Sequence, residues 1–339
     1  MFTRHMLSLF DLDPEIISRL VSRGLAFAAG NWQRSNLLRN RVVGIYFRRF
    51  STRTRTAFTI GAARLGAMTI AYGPNDLQIN TGETIEDTAR VLSGFLDGLV
   101  IRTNQSLDEM EAFAGQNKMI IINAMSEEEH PTQAISDLVT LCEEFGRLQG
   151  IHLLYIGEGN NTAAALAFAV SKTRDMRLTL VTPEGYGLPE STLNKARFSA
   201  EQTGSCVDQY HGLHNLPTQV DAVYTSRWQT MGEPKADPEW EEKFDPYKVT
   251  AELMAQVSKP SGTIFLHDLP AVRGGDVSDE VLDGPQSHAF RQAQHKLSGA
   301  MAVLDWCLKG GESYSYRNSH RRSVSTHIPV LARQGSSDA

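Results

Sequence analysis

The sequence predicts an α/β protein of two doubly wound domains, each built on a parallel sheet and joined by interdomain helices. Short apolar runs typical of buried strands alternate with longer segments whose apolar residues recur at helical spacing. This alternation is typical of parallel sheets with helices on both faces. A chain of 339 residues is long enough for two such domains, each with its own core.

The first domain is expected to cover residues 1–148. Its predicted strands are residues 42–47, 68–72, 98–101 and 119–122. Its predicted helices are residues 14–29, a helix that begins near Thr52, residues 84–95, and a helix opened by His130-Pro131-Thr132-Gln133. Proline is favoured in the first turn of a helix, which supports the start at Pro131.

The second domain is expected to cover residues 149–287. Its predicted strands are residues 153–156, 178–181, 222–225 and 263–266. An alanine-rich helix follows Gly157-Glu158-Gly159-Asn160-Asn161, and another helix covers residues 190–203. A helix over 288–308 closes the fold on the first domain. Residues 309–339 contain Gly310-Gly311 and serine-rich stretches, so we predict a disordered tail there.

Composition excludes several classes of protein. A hydrophobic content of 41% and a charged content of 21% are ordinary for a globular protein. The net charge of −6 argues against nucleic-acid binding by bulk charge. No apolar run approaches the ~18 residues of a membrane span. Three scattered cysteines without a CxxC pair indicate neither a disulfide framework nor a metal site, and they fit a reducing cytoplasm.

A cluster of arginines stands where the second helix begins. The motif is Ser51-Thr52-Arg53-Thr54-Arg55, with Arg48 and Arg49 just before it. The helix dipole makes cations unfavourable in a first turn. A bound anion removes this conflict, because free backbone N–H groups, hydroxyls and guanidinium groups together bind phosphate well. The alternative interpretation is a solvated basic face.

Four motifs follow one another in a definite order. They are residues 51–55, Thr81-Gly82-Glu83-Thr84 with residues 87–92, His130-Pro131-Thr132-Gln133, and residues 267–274. Together they resemble the aspartate/ornithine carbamoyltransferase family over residues 5–308. Within this family the chain resembles the ornithine branch more than the aspartate branch, on the basis of residues 157–161, residues 279–287 and Met231-Gly232. The ordered set is far more specific than any one motif.

The resemblance implies that the first domain binds carbamoyl phosphate and the second binds an amine acceptor, without metal or organic cofactor. Ser51, Thr52, Arg53, Thr54 and Arg55 match the family's phosphate-binding motif, and Arg102 matches a further arginine on the same substrate. His130 and Gln133 match the pair that contacts the carbamoyl oxygen and amide. Arg273 matches the arginine that closes over this group. Polarising the carbonyl makes its carbon more electrophilic.

The family is typically a homotrimer, with a loop of one subunit reaching into its neighbour's site. Residues 81–84 match that loop. The aspartate branch has a lysine where Thr81 stands, so the cation is missing here, and Gln78 is the residue that reaches across instead. An ordinary surface loop is an equally good interpretation.

The acceptor end departs from the ornithine pattern. Asn161 matches the residue that holds the acceptor's carboxylate end, and Asn160 is expected to cap the helix. Ser226 stands where ornithine enzymes have an acidic residue for the α-ammonium, and Thr230 replaces a serine before Met231. Asp268, before Leu269, replaces a cysteine.

Several roles are open for the charged residues of this segment. Asp268 is expected to hold an ammonium, to accept a proton from the attacking amine, or only to anchor its loop. Arg227 is expected to bind a carboxylate or to face solvent.

The sequence therefore predicts a carbamoyltransferase whose acceptor is an amino acid or amine other than ornithine. A shorter diamino acid such as 2,3-diaminopropionate, used in specialised metabolism, is our expectation. The alternative is an ornithine carbamoyltransferase that makes citrulline. The Gly157-x-Gly159 turn has Thr162 at the third glycine position, which argues against an NAD-dependent dehydrogenase. A non-catalytic binding paralogue is a further alternative.

Overall fold

A computed structural model of the chain describes residues 4–33, 36–229 and 235–309. Its first sheet contains strands β1 (Val42–Phe47), β2 (Met68–Tyr72), β3 (Gly98–Arg102) and β4 (Ile120–Met125), in the order β2-β1-β3-β4. All neighbouring strands pair in parallel. The helices of this half are α1 (Pro14–Ala28), α2 (Thr52–Arg64), α3 (Ile85–Leu92), α4 (Asp108–Ala114) and α5 (Pro131–Phe145).

The second sheet is also parallel. It contains β5 (His152–Ile156), β6 (Arg177–Thr182), β7 (Cys206–His211), β8 (Ala222–Thr225) and β9 (Ile264–His267), in the order β7-β6-β5-β8-β9. Its helices are α6 (Asn161–Ser171), α7 (Glu190–Thr203), α8 (Trp240–Phe244), α9 (Ala251–Val257), α10 (Asp279–Leu282) and α11 (Ala289–Leu308). The predicted fold class, two parallel α/β units, is confirmed.

Helices α5 and α11 hold the two halves together. Helix α11 returns to the first half and packs against α1, α2 and α5, while α5 also packs against α6. A single apolar cluster therefore extends from Val43 and Ile45 of β1, through Leu138 of α5, to Leu153 and Tyr155 of β5. Gly299 permits the close approach of α11 to α5, because a Cβ there would lie 2.7 Å from Ser136 Oγ.

Some elements differ from the sequence-based expectation. Strand β7 and the short helices α4, α8, α9 and α10 were not predicted. Arg102 is the last residue of β3 rather than the residue after it, and β4 extends to Met125. Thr230, Met231 and all but the first residue of the expected tail lie outside the described residues. In the part of the chain that is described, we find no helix long and apolar enough to cross a membrane.

Candidate active site between the two sheets

A cavity of about 260 Å³ lies where the carboxyl ends of both sheets face each other. Its first wall follows β1, β3 and β4 and includes residues 49–54, Arg102, Asn104, Met125 and His130. Its second wall follows β5, β8 and β9 and consists of residues 160–162, Arg227, Gln229 and residues 268–270. Open α/β sheets commonly bind ligands outside the carboxyl ends of their strands. The position of the cavity therefore makes it the candidate site.

The first turn of α2 forms one side of the first wall. Ser51 is the N-cap residue, with an extended backbone and no side-chain capping hydrogen bond, so the first backbone N–H groups of α2 lack that partner. Thr52, Arg53 and Thr54 line the cavity with it. Burial lowers the pKa of Arg53, and the carboxylate of Asp268 opposes this shift. The arrangement suits an anion at the helix N-terminus.

Arg102 and His130 form the deeper part of the first wall. Arg102 is only 9% exposed, and its Nη1 lies 3.4 Å from His130 Nε2. Burial, together with Arg53, lowers the pKa of Arg102 to about 10, which leaves it a cation. Burial, then Arg102 and Lys296, hold the pKa of His130 well below its ordinary value. His130 is therefore a neutral imidazole beside a buried cation.

Gln133 lies one turn below His130, beside a small void that His130 and Lys296 also border. Its Nε2 donates to Asp137 Oδ1 at 2.7 Å, and its Oε1 accepts from Lys296 Nζ. Gln292 Nε2 also donates to Asp137 Oδ1 at 2.6 Å. Burial raises the pKa of Asp137 to about 7. Gln133 thus belongs to a buried polar network behind the cavity rather than to its surface.

The turn after β5 is shaped by packing. A Cβ at Gly157 would lie 2.6 Å from Trp228 Nε1, and one at Gly159 would lie 2.3 Å from the backbone nitrogen of Leu188. Asn160 caps α6, because its Oδ1 accepts from the N–H groups of Thr162 and Ala163 at 3.0 and 3.2 Å. The expected structural role of Asn160 is confirmed, and both glycines have a packing reason.

Asn161 and Ser226 are largely bonded within the protein. Asn161 Nδ2 donates to the carbonyl of Ser126 at 2.9 Å, and the Asn161 carbonyl accepts from His130 N at 3.1 Å. The buried Ser226 hydroxyl lies 2.7 Å from Tyr155 OH and accepts from Asn160 Nδ2 at 3.0 Å. Ser226 is therefore part of the support behind the second wall.

Asp268 is the one carboxylate among the described residues that line the cavity. The lining cations are Arg49, Arg53, Arg102, Arg227 and Lys296. Asp268 Oδ2 accepts from Thr162 Oγ1 at 3.1 Å. Leu269, next in the chain, has a positive φ of 53°, a strained conformation that often occurs at functional sites. Arg227 Nε is buried and has no hydrogen-bond partner among the described residues.

Besides Gln133 and Ser226, four predicted site residues among the described ones do not line the cavity. Arg273 is 45% exposed, and its guanidinium pairs with Asp279 and Asp283, each at 2.6 Å. Gln78 and Thr81 are exposed in a short 3₁₀ helix, where Thr81 Oγ1 donates to Gln78 Oε1 at 2.8 Å. Arg55 belongs to the first turn of α2 but does not line the cavity. Their expected roles stay predictions.

Lys296 and Asp137 were missed by sequence reasoning. Both are buried, and each contacts Gln133. The available signal was a glutamine and a lysine four residues apart, Gln292 and Lys296, on the helix predicted to close the fold. Among the described residues there is no group of three or more His, Cys, Asp or Glu arranged to hold a metal ion.

Comparisons with known proteins agree with this geometry. Residues 4–143 match the family model of the carbamoyl-phosphate-binding domain of aspartate/ornithine carbamoyltransferases. Residues 149–307 match the model of the aspartate/ornithine-binding domain.

Individual relatives carry the same family name. The ornithine carbamoyltransferase of Caldicellulosiruptor saccharolyticus is 38% identical over 311 residues, covering 89% of this chain and 97% of the relative. That of Halalkalibacterium halodurans is 37% identical, covering 91% and 96%. The solved ornithine carbamoyltransferase of Pyrococcus furiosus superimposes with a TM-score of 0.85 at 32% identity, covering 92% and 99%. These names favour the ornithine alternative over the expectation of a different acceptor.

Proposed function

This chain belongs to the aspartate/ornithine carbamoyltransferase family, and we propose that its cavity transfers the carbamoyl group of carbamoyl phosphate to an amino-acid amine. The observation that carries the proposal is the first wall, where the N-terminus of α2 meets Arg53, Arg102 and a neutral His130. A dianionic phosphate and an adjacent carbonyl are the ligand groups that this wall complements.

The phosphate group binds at the first turn of α2. Backbone N–H groups, the hydroxyls of Ser51 and Thr52, and the Arg53 guanidinium surround the leaving group. Negative charge grows on this group as the bond between the carbamoyl carbon and the phosphate oxygen breaks. Cations fixed in advance stabilise that charge without reorganisation, so their effect is largest in the transition state.

The carbamoyl carbonyl lies deeper, beside Arg102 and His130. A neutral imidazole donates a single hydrogen bond and adds no charge, so Arg102 supplies the positive field on the carbonyl oxygen. The acceptor's neutral amine attacks the carbon, the phosphate leaves with the bonding electrons, and the amine loses one proton to form a ureido product. Asp268 is the lining carboxylate that takes this proton or fixes the amine.

Ornithine is the first candidate acceptor. The support comes from relatives named ornithine carbamoyltransferase, which match along nearly their whole length. On this proposal the product is citrulline.

A shorter diamino acid such as 2,3-diaminopropionate is the second candidate, and a specific observation favours it. Ser226 offers no carboxylate for an α-ammonium, and its hydroxyl already bonds Tyr155 and Asn160. Asp268 and Arg227 instead offer one anion and one cation at different positions of the cavity. A site built for one charge pattern discriminates against another.

Phosphate release from carbamoyl phosphate, measured over a panel of diamino acids, diamines and hydroxylated compounds, tests both candidates. Citrulline formation at a kcat/KM above ~10⁴ M⁻¹s⁻¹ supports ornithine and removes the second candidate. A preference for the shorter diamino acid by tenfold or more supports the second. Absence of phosphate release with every acceptor contradicts carbamoyl transfer by this protein.

We also propose a homotrimer whose sites include residues 78–81 of a neighbouring subunit. Strand β2 is an edge of the first sheet, and its residues Met68 and Ile70 are exposed. Two further apolar side chains are exposed at the end of α3 and just after it, Val91 and Phe95. Residues 78–81 connect β2 to α3. Exposed apolar groups of this kind favour a surface covered by another subunit.

A further inference from the structure

An ion pair between Lys235 and Glu158 lies beside the second wall of the cavity. The Lys235 ammonium donates to a carboxylate oxygen of Glu158, and the two side chains are only 12% and 18% exposed. Neither residue lines the cavity, and the mechanism above uses neither. A largely buried ion pair often contributes little net stability, because desolvation of both charges is costly. The position of this pair is better explained by the segments that it holds together.

Three aromatic rings lie around the same ammonium. We define the aromatic box as the rings of Tyr186, Trp240 and Phe244. Lys235 Nζ lies 5.1, 5.5 and 5.2 Å from their centres, in that order. Phe244 meets Tyr186 and Trp240 edge to face, with ring centres 4.8 and 5.8 Å apart. Rings within about 6 Å attract a cation, most strongly where it is desolvated. Glu158 and the aromatic box therefore fix the ammonium in one place.

This arrangement holds the turn after β5. Glu158 belongs to that turn, and Asn160, two residues later, lines the cavity and caps α6. The backbone carbonyl of Tyr186 accepts from Gly159 N at 2.8 Å, so a residue of the aromatic box also bonds the turn directly. A displacement of Glu158 is therefore transmitted to Asn160.

The aromatic box also holds the segment after β8. Phe244 packs against Trp228, with ring centres 5.2 Å apart. Trp228 is buried and stands between Arg227 and Gln229, which both line the cavity. The ammonium of Lys235 thus lies where two segments of the second wall are supported, the turn after β5 and the segment after β8.

We propose that Lys235 is the positioning residue of the second wall: its ammonium, bonded to Glu158 and lying among the rings of the aromatic box, fixes the turn after β5 against the segment after β8 and so determines how the amino-acid acceptor fits. The inference rests on the proposed function, because it takes the second wall to bind the acceptor. Lys235 acts through Asn160, Arg227 and Gln229, whereas the phosphate group binds at the first wall, on the other sheet.

Removal of one partner of the pair should be worse than removal of both. Burial raises the pKa of Glu158, and the bond and the charge of Lys235 oppose that shift. Without the ammonium, the carboxylate is uncompensated, so it takes up a proton or moves towards water and carries the turn with it. Lys235→Met combined with Glu158→Gln should therefore be no more impaired than Lys235→Met alone, a result that two independent losses of packing would not give.

Hydrogen exchange without substrate tests the positioning directly. Lys235→Met should speed amide exchange at least tenfold in residues 157–161 and 226–229, and leave β3 of the first sheet unchanged. Lys243→Met is the matched control. Lys243 is a more exposed lysine of α8 that pairs with Asp237 at 2.7 Å, and Asp237 also accepts from Tyr186 OH of the aromatic box. The control should leave exchange in both segments unchanged.

Kinetics with ornithine and with 2,3-diaminopropionate test the link to the acceptor. For the better of the two, Lys235→Met should raise the KM at least tenfold, with a smaller change in kcat and less than a twofold change in the affinity for inorganic phosphate. Lys235→Arg keeps a cation over the rings and should restore most of the loss. A merely structural role would instead weaken acceptor and phosphate binding together.

The outcomes separate this inference from the proposed function. Unchanged exchange in either segment of Lys235→Met, or an equal loss of acceptor and phosphate binding, overturns the role of Lys235 and leaves carbamoyl transfer intact. Glu158→Gln breaks the same pair from the other side and decides in the same way if Lys235→Met does not fold. If the unmodified protein releases no phosphate with any acceptor of the panel, the proposed function fails, and hydrogen exchange alone then decides whether Lys235 positions the second wall.

Discussion

The two walls of the cavity use their polar groups differently. The first wall presents the end of a helix together with Arg53 and Arg102, whose long side chains point charge into the cavity. On the second wall, Asn160 caps a helix, Asn161 bonds the backbone of Ser126, and Thr162 bonds Asp268. The first wall is prepared for an anion by its backbone, whereas the second depends on a few loop side chains.

This difference indicates which part of the reaction is easiest to change. On the proposed function, the part of phosphate binding that comes from the helix N-terminus depends on the fold rather than on any one side chain. The character of the second wall depends on residues such as Arg227 and Asp268, and one substitution there reverses a local charge. Acceptor choice is therefore the variable property of this site.

The largest loss of activity is expected for a substitution on the first wall. Arg53→Ala should lower kcat/KM at least a hundredfold, on the order of 3 kcal/mol, because the lost contact strengthens as phosphate departs. Steady-state phosphate release measures it. Arg64→Ala, an exposed arginine at the other end of α2, is the control and should be near normal. Near-normal turnover of a folded Arg53→Ala protein would falsify the phosphate assignment.

A substitution on the second wall is expected to cause a smaller loss of activity, confined to the acceptor substrate. Asp268→Asn should lower kcat/KM for the acceptor by about 10–100-fold, since a charged partner or proton acceptor is lost, with little change in carbamoyl phosphate affinity. Titrating each substrate separately checks the selectivity. Glu201→Gln, an exposed carboxylate of α7, provides the control. Equal loss for both substrates would mean that Asp268 only supports its loop.

The proposed trimer places residues 78–81 of one subunit in the site of its neighbour, and subunit mixing tests this. A protein inactivated by Gln78→Ala with Thr81→Ala, mixed with one inactivated by Arg273→Ala, should recover activity several-fold above either alone, because a closed trimer then contains some intact sites. Activity after subunit exchange is the measurement. Light scattering that finds a fully active monomer would refute the shared site.

The smallest expected effect is on the pH dependence of folding stability, through Glu129, which precedes His130 of the first wall. Burial raises the pKa of Glu129 to about 8, so the folded protein keeps this carboxyl protonated while the unfolded chain ionises it near 4.5. The unfolded state then binds fewer protons, and stability falls as pH rises between these values. Glu129→Gln should flatten that dependence and raise the Tm at pH 8 by about 2–6 °C.

Thermal melts across this pH range test the prediction, with Glu127→Gln, an exposed neighbour, as the control. The amide introduced by Glu129→Gln can retain both contacts of the native carboxyl group, to Leu9 N at 2.9 Å and to Ser8 Oγ. A steeper fall of stability with pH in Glu129→Gln would show that the carboxylate is stabilising as an ion.

Most of the fold was predictable because its central strands are apolar runs buried on both faces and its longer helices carry apolar residues at helical spacing. Strand β7 was missed since it is a sheet edge whose residues Gln209 to His211 are partly exposed, which breaks the apolar run typical of central strands. Helix α4 is seven residues long and too short to show a helical period.

The first wall was predicted better than the network behind it. Motifs of adjacent residues located the first turn of α2 and His130, because local sequence determines local geometry. Lys296 contacts a residue 163 positions away, and no local pattern carries that information. Arg273 pairs with two nearby carboxylates, Asp279 and Asp283, and its expected role at the carbamoyl group stays a prediction.

The continuous apolar cluster between the sheets has a consequence for evolution by recombination. Apart from Lys296 of α11, the cavity is lined by residues 49–130 on the first wall and residues 160–270 on the second. On the proposed function, an exchange of gene segments near Gly150 could therefore transplant acceptor preference in one event. Such a chimera inherits an interface in which α5 and α6 come from different parents. The fit of the shared apolar cluster, including α11 of one parent against α2 and α5 of the other, would then decide which hybrids survive selection.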